Sequence, residues 1–449
     1  MKSGGSKPVR RLLIANRGEI AVRIIRSCRE MGIETVAVYS TADKDSLHVR
    51  LADRAVCIGP PPSAQSYLDR NNLIMAAIST GCEAVHPGVG FLSENAGFAR
   101  LVRDKGLIFI GPAPETIELL GDKVAARDTA RRFGLPVTPG SAGAVDSEAA
   151  AAKAVKELGF PVIIKAAAGG GGRGMRVVRR AEELAENLAI ARSEAEANFA
   201  DGTVFIERYL ENPRHVELQI LADGNSVAVL GERDCSVQKN HQKLIEESPS
   251  PGVTETMRAR MAEGAVNLFR ELKYTGAGTI EFLVEGENFY FMEVNARLQV
   301  EHPVSEFVTG ADIVREQILA CAAGRMELEP GKTALSGWAV ECRINTLSPG
   351  KVTHLEIPGG PGVRFDGALY QGCTVPPFYD SMLAKLIVHD SNRGRALAKM
   401  SRALDELVIG GISTNRGRQK WIIGDAKFRS GQFGTRYYEE IAERCENAP

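Results

Sequence analysis

The chain has little that would direct it to a membrane, to nucleic acid or into a disulfide-stapled fold. No uninterrupted apolar run in its 449 residues is long enough to cross a bilayer. Formal net charge is only -1 at pH 7, so no global field draws nucleic acid or an anionic membrane surface. The eight cysteines (Cys28, Cys57, Cys82, Cys235, Cys321, Cys342, Cys373 and Cys445) are scattered, with no pair at metal-knuckle spacing. Cysteines so placed in a long chain are usually reduced and packed, and a cytoplasmic protein is expected. Only Cys235 sits in a dense polar motif, and packing is expected there too. Residues 1–8 are polar and Gly/Ser-rich without an apolar h-region, so they read as a flexible tail rather than a signal peptide. There is no internal repeat and no low-complexity block. Two nucleotide-binding signatures are missing as well. The turn Asn16-Arg17-Gly18-Glu19 lacks the glycine triplet of a dinucleotide fingerprint, and no G-x-x-x-x-G-K-[ST] occurs.

What is present is an ordinary globular composition, 44% hydrophobic and 25% charged, in a length that predicts two to four domains or lobes. Residues 9–15 form an apolar run, Ile20, Ile24, Cys28 and Met31 recur at helical spacing, and 35–39 is the next strand. This is βαβ patterning, which implies a parallel sheet continuing to about Gly111. An Ala-rich helix over 149–158 ends at Gly159. Strands at 160–165 and 175–178 flank a glycine stretch, and strands at 204–207 and 216–221 are expected to complete a small α+β lobe. Residues 227–308 read as strand and hairpin with one helix near 257–272. The part from Trp338 mixes short strands with a helix near 393–407.

Three segments carry chemistry. Between two strand-like runs, Lys165 is followed by five glycines in the six positions 169–174. Such a loop frees backbone N–H groups to approach phosphate oxygens, and Lys165 adds a fixed positive charge. In the run 289–301, read as extended chain, one face carries Glu293, Asn295, Arg297, Gln299 and Glu301. If the hairpin with 279–285 is centred on Glu287, Glu281 faces Glu293, and like charges directly opposite are destabilising. A divalent cation between them removes that penalty. Two carboxylates plus the Asn295 oxygen suit magnesium held against ATP phosphates. Arg297, beyond the cluster, offers a planar fork for a small oxyanion. In the polar tract 232–249, Gln238, His241 and Lys243 could together reach an anionic ligand.

These residues, with their neighbours, resemble the biotin carboxylase component of biotin-dependent carboxylases of the acetyl-CoA carboxylase type, an ATP-grasp enzyme. The resemblance runs from Ile14-Ala-Asn-Arg-Gly-Glu-Ile20 to about Tyr438. It includes His86-Pro-Gly, Gly90-Phe-Leu-Ser-Glu-Asn95, Gly121-Asp-Lys123, Glu211-Asn-Pro-Arg-His215-Val-Glu, Glu232-Arg-Asp-Cys-Ser, His241-Gln-Lys, Gln299-Val-Glu-His-Pro303, Glu341-Cys-Arg-Ile-Asn345 and Tyr379-Asp-Ser-Met382. It implies α/β and α+β architecture. A Rossmann-like N-terminal domain would span 1–120. An ATP-grasp domain would span 121–330, with a mobile lid at about 138–210, and a mixed C-terminal domain 331–449. Lys123 and Lys165 would hold ATP phosphates, with Gly171 and Gly172 in the lid. Glu207, Arg208, Tyr209 and Leu210 would meet the adenine and His215 the ribose side, with Gln238 and His241 near the nucleotide. Glu281, Glu293 and Asn295 would bind magnesium or manganese. Lys243, Arg297, Gln299 and the Val300 backbone would cradle bicarbonate, Glu301 would be its general base, and Arg343 would stabilise the biotin enolate. Biotin would arrive on a separate carrier protein and leave to a carboxyltransferase subunit. A homodimer is implied.

The chain departs from the family pattern at four points. Val89 stands where the family has a tyrosine. The loop after Asn345 is several residues short. Pro361 replaces an aromatic in the region of the dimer contact, and Ala168 shortens the glycine run. The first three surround biotin and the interface rather than ATP, metal and bicarbonate. They keep two rivals in view: a biotin-independent ATP-grasp ligase that passes carboxyphosphate to another acceptor, and a non-catalytic nucleotide-binding subunit.

Overall fold

The computed structural model describes residues 9–141, 143–166, 175–199 and 201–446. Gly171 and Gly172 therefore lie outside the described residues. The N-terminal part is a five-stranded parallel sheet in the order Arg54–Gly59, Glu34–Ser40, Arg11–Ile14, Ala84–His86, Ile108–Phe109. Its central strand is apolar on both faces, with Leu12, Leu13 and Ile14 fully buried, as a strand covered on both sides requires. The helix Gly18–Glu30 supplies one cover through Ile20, Ala21, Ile24, Ile25 and Cys28. Ligand crevices in open α/β sheets form beyond the carboxyl ends of the strands. Here those ends emit the 16–19 turn and the 87–91 loop.

An eight-stranded antiparallel sheet organises the rest, in the order Asn288–Asn295, Thr275–Glu285, Arg214–Asp223, Val227–Lys239, Gln242–Ser248, Trp338–Asn345, Met382–Asp390, Val363–Gly367. The sheet crosses residue 331 without a break, so strands from both sides of that position share one ladder. Arg214–Asp223 is the third strand of this sheet, not part of the small lobe expected from the sequence. The small lobe is instead a three-stranded sheet of Met175–Val178, Val162–Ala166 and Val204–Arg208, covered by helices Glu148–Leu158 and Leu184–Phe199. Gly159 ends the first of these at φ 74°, a conformation in which glycine carries no Cβ penalty.

Two local readings need correction. The extended run stops at Asn295, because Glu301 already caps the helix His302–Thr309, whose first turn holds Pro303. Residues 296–301 are therefore a connection and not a strand. The hairpin turn is also not centred on Glu287. Near the turn Glu285 pairs with Asn288 and Phe282 with Phe291, and a bulge at Met292 then shifts the register so that Glu281 faces Glu293. Without the bulge, that tight turn would place Met292 opposite Glu281 and send Glu293 to the other face.

Candidate functional site

A cavity of about 1120 Å³ lies between the parallel sheet, the small lobe and the large sheet. Its wall includes Lys123, Lys165, Glu207, His215, Gln238, His241, Lys243, Glu281, Glu293, Asn295, Arg297, Gln299, Val300, Glu301 and Arg343. The structure thus brings together residues spread over more than two hundred positions. Arg208, Tyr209 and Leu210 stand off the wall. Arg208 points out to solvent, Leu210 is buried, and the Tyr209 N–H donates to the Pro161 carbonyl at 3.0 Å.

The floor is a network of buried charge. Lys243 Nζ donates to Glu301 Oε1 at 2.6 Å, Glu217 Oε2 at 2.8 Å and Glu281 Oε1 at 3.2 Å. Burial opposes its charge, yet the surrounding groups, these carboxylates among them, push the ammonium well above the ordinary lysine value. Arg343 is gripped from two sides, Nε to Glu246 at 2.5 Å and Nη2 to Glu301 Oε2 at 2.9 Å. Arg233, fully buried, bonds Glu217 at 2.6 Å, Gln219 at 2.6 Å, Ser305 at 3.0 Å and Thr279 at 3.1 Å. Burial alone would raise the Glu301 carboxyl, but Lys243, Arg343 and Arg233 hold it well below the usual range. Glu301 is therefore ionised and fully buried, the state a proton acceptor needs.

Each side of the floor has its own character. On the hairpin side, burial and then Lys243 and His215 act on Glu281, and its carboxyl ends far below normal. His215 Nε2 lies 2.8 Å from it, and Gln238 is 2.7 Å from His215 Nδ1. Glu293 opposite is raised, by burial first and Glu281 next. It has no hydrogen bond or ion pair among the described residues. A carboxylate without a side-chain hydrogen bond facing a second one is a donor set that could hold a hard divalent cation, with Lys123 and His215 already favouring its charge. Asn295 connects the two ends, donating Nδ2 to Glu281 at 2.9 Å and accepting from Arg297 Nη2 at 3.0 Å. The neighbouring groups His215–Glu217–Glu281 and Glu217–Cys235–Glu301 also converge, but Lys243 and Arg233 already neutralise them. The Cys235 thiol is pushed well up by burial and stays a packed, protonated group, as expected.

At the small-lobe end of the cavity, Lys165 Nζ donates to Glu207 at 2.6 Å, and Arg127 pairs with the same carboxylate. Burial first, then Arg127 and Lys123, push the Lys165 ammonium down to about 8. On the far side Arg297 Nε meets Glu94 at 2.8 Å and its Nη1 meets Gln299 at 2.8 Å. The Val300 carbonyl accepts from Lys385 Nζ at 2.7 Å. The residues missed from sequence are Glu94, Arg127, Glu217, Arg233 and Glu246. Glu94, Glu217 and Arg233 sit inside motifs already noted, where an acid or base flanking a named residue was the available signal.

The cavity thus gathers lysines at one end, a facing carboxylate pair and a cationic floor around a buried carboxylate, and the enzyme is an ATP-dependent ligase. The comparisons agree along the whole chain. Residues 8–117 match the biotin carboxylase N-terminal domain, 122–328 the ATP-binding domain of carbamoyl-phosphate synthase L chain, and 342–440 the biotin carboxylase C-terminal domain. A biotin carboxylase of Haemophilus influenzae is 51% identical over 439 residues, covering 96% of this chain and 98% of that protein. The Campylobacter jejuni biotin carboxylase, solved in complex with an ATP form, has a TM-score of 0.90 at 45% identity over 96% of this chain and 99% of that one. The biotin carboxylase domain dimer of Hydrogenobacter thermophilus 2-oxoglutarate carboxylase, solved with MgADP, ADP and bicarbonate, has a TM-score of 0.90 at 42% identity over 99% of this chain and 100% of that one. The chain belongs to the biotin carboxylase family, and with it to the ATP-grasp enzymes.

Proposed function

We propose that this chain carboxylates carrier-linked biotin with ATP and bicarbonate. The observation that carries the reading is the convergence of Lys243 and Arg343 on one buried carboxylate, Glu301, with Arg297 on the same cavity wall. Bicarbonate sits against Lys243, Arg297 and Gln299, with its hydroxyl towards Glu301. Glu301 takes the hydroxyl proton as a bicarbonate oxygen attacks the γ-phosphorus, giving carboxyphosphate and ADP. A base held this far below normal is weak until the arriving anion draws Lys243 to itself, which lets its basicity rise towards the working pH. Lys123 and Lys165 stabilise charge on the phosphates. Magnesium, held by Glu281, Glu293 and Asn295, would supply further neutralisation there. Carboxyphosphate then breaks to carbon dioxide and phosphate. Phosphate takes the ureido proton, Arg343 stabilises the enolate, and the biotin nitrogen attacks carbon dioxide.

Family membership supports a separate carrier protein and carboxyltransferase as partners, and a dimer like those solved for relatives. The dimer reading rests on the domain dimer solved for the Hydrogenobacter thermophilus relative. No helix among the described residues is long and apolar enough to cross a membrane, which is compatible with a cytoplasmic setting. The test is bicarbonate-dependent ATP cleavage with and without free biotin. Stimulation by biotin is expected. Intact basal cleavage without stimulation would transfer the assignment to another carboxyl acceptor.

A further inference from the structure

We infer that Phe378 is the aromatic platform on which the ring body of the carboxyl acceptor rests, an inference built on the biotin reading above. Phe378 is 51% exposed, a costly position for a ring that size, and it lines the reaction cavity rather than an outer face. The acceptor-side wall comprises Val89, Phe91, Asn345, Phe378, Tyr379 and Met382. The other rings there are already committed. Phe91 stacks on Tyr67 at 5.1 Å. The Tyr379 ring carries the Arg17 guanidinium at 4.0 Å, and its hydroxyl reaches Ser40 at 2.5 Å and Pro61 at 2.8 Å. Val89 is half-buried and offers no ring face. Phe378 is thus the ring on this wall with open surface.

Its position fits an acceptor anchored at Arg343. Asn345 lies two residues along the same strand, about 6–7 Å away, and pairs with Met382 on the next strand. Residues 378–381 lead directly into that strand. The neighbouring Tyr379 is tied to the N-terminal sheet and meets Phe378 edge-on at 6.3 Å, which fixes where the platform stands. A molecule with a polar ureido head at Arg343 carries its apolar fused-ring body into the same cavity, where Phe378 offers an open ring face. Burying the ring face is favourable on area alone.

The test is steady-state kinetics with free biotin as the varied substrate. Phe378→Ala should raise the KM for biotin about tenfold while kcat stays within about twofold, and Phe378→Tyr should restore the parent KM. A parent-like KM in Phe378→Ala, with the parent protein stimulated by biotin, would overturn this inference alone. A parent protein that biotin does not stimulate would remove the acceptor reading itself. As a readout apart from turnover, Phe378→Trp should gain a biotin-dependent change in fluorescence over the parent protein, and its absence would count against the platform.

Discussion

Replacing Glu301 by Gln separates its chemical role from its structural one. The amide keeps the shape and one acceptor oxygen but cannot take a proton. General bases contribute about 10²–10⁴-fold, or about 3–5 kcal/mol of barrier at 1.36 kcal/mol per decade, so bicarbonate-dependent ATP cleavage should fall by that factor. The structural loss should be smaller. Glu301 gives Lys243 and Arg343 one bond each, but Lys243 keeps Glu217 and Glu281, and Arg343 keeps Glu246. No cation is stranded, so the roughly 3–5 kcal/mol cost of an unpaired buried charge does not arise. What remains is one charge-assisted bond weakened and one lost, because Lys243 and Arg343 use different oxygens and the amide NH2 accepts from neither, on the order of 2–4 kcal/mol in total. In a chain of 449 residues this moves the melting temperature by only a few degrees. ADP release by a coupled assay and a melting curve on the same preparation read both quantities. Turnover within about threefold of the parent would refute the assignment of the base. Loss of cooperative unfolding would refute the claim that the remaining charges stay paired.

Glu293→Gln should abolish magnesium-dependent ATP turnover, because it halves the carboxylate pair; unchanged turnover and unchanged magnesium requirement would count against the metal site. Arg343→Met should suppress biotin carboxylation more strongly than ATP cleavage, and equal losses would deny it a role specific to the second half-reaction. Burial and the neighbouring Arg127 and Lys123 push the Lys165 ammonium down to about 8, so if Lys165 holds phosphate as the cation, the KM for ATP should climb as pH rises past about 8 and stay flat there in Lys165→Met. Burial raises the Glu246 carboxyl to about 7 despite Arg343. A folded-state value above the unfolded one stabilises below the unfolded value and is lost as pH rises to the folded one. The melting temperature of the parent relative to Glu246→Gln should therefore decline between about pH 4.5 and 7, and a constant difference would contradict it.

Legibility from sequence followed the range of the interactions. The βαβ part was readable because its signal, buried apolar runs such as 12–15 followed by helical spacing from Ile20 to Cys28, is local. The facing pair Glu281–Glu293 was readable from charge, yet the centring proposed for it was wrong and the pair arises only through the bulge at Met292. Neither glycine nor proline marks that bulge, so nothing in the local sequence reported it. The strand order of the large sheet was not readable, because its ladder joins Gln242–Ser248 to Trp338–Asn345 across three intervening helices and a hairpin. The partner of Arg297 lies 203 positions away at Glu94, a separation at which spacing carries no information. The end of the extended run at Asn295 was announced by Pro303, but alternation of polar residues up to Glu301 masked it.

The early end of that strand shapes the site. Had residues 296–301 continued as a strand, Arg297, Gln299 and Glu301 would stand in a row at about 6–7 Å intervals. The row would present a flat acidic and basic stripe rather than a pocket. Ending the strand at Asn295 folds the chain across the sheet, so Arg297 meets Glu94 of the N-terminal domain while Glu301 drops beneath Lys243 and Arg343 from two different strands. The base is then held by the same ladder that joins residues before and after 331. A substitution that loosens that junction, at Gln419 for instance, whose amide donates to the Leu244 carbonyl at 3.0 Å and the Arg343 carbonyl at 2.8 Å, should reduce turnover without touching any group that meets a substrate. Gln419→Leu should lower kcat several-fold with the KM for ATP unchanged. A rise in that KM with kcat preserved would show that the junction does not govern the placement of Arg343 and Glu301.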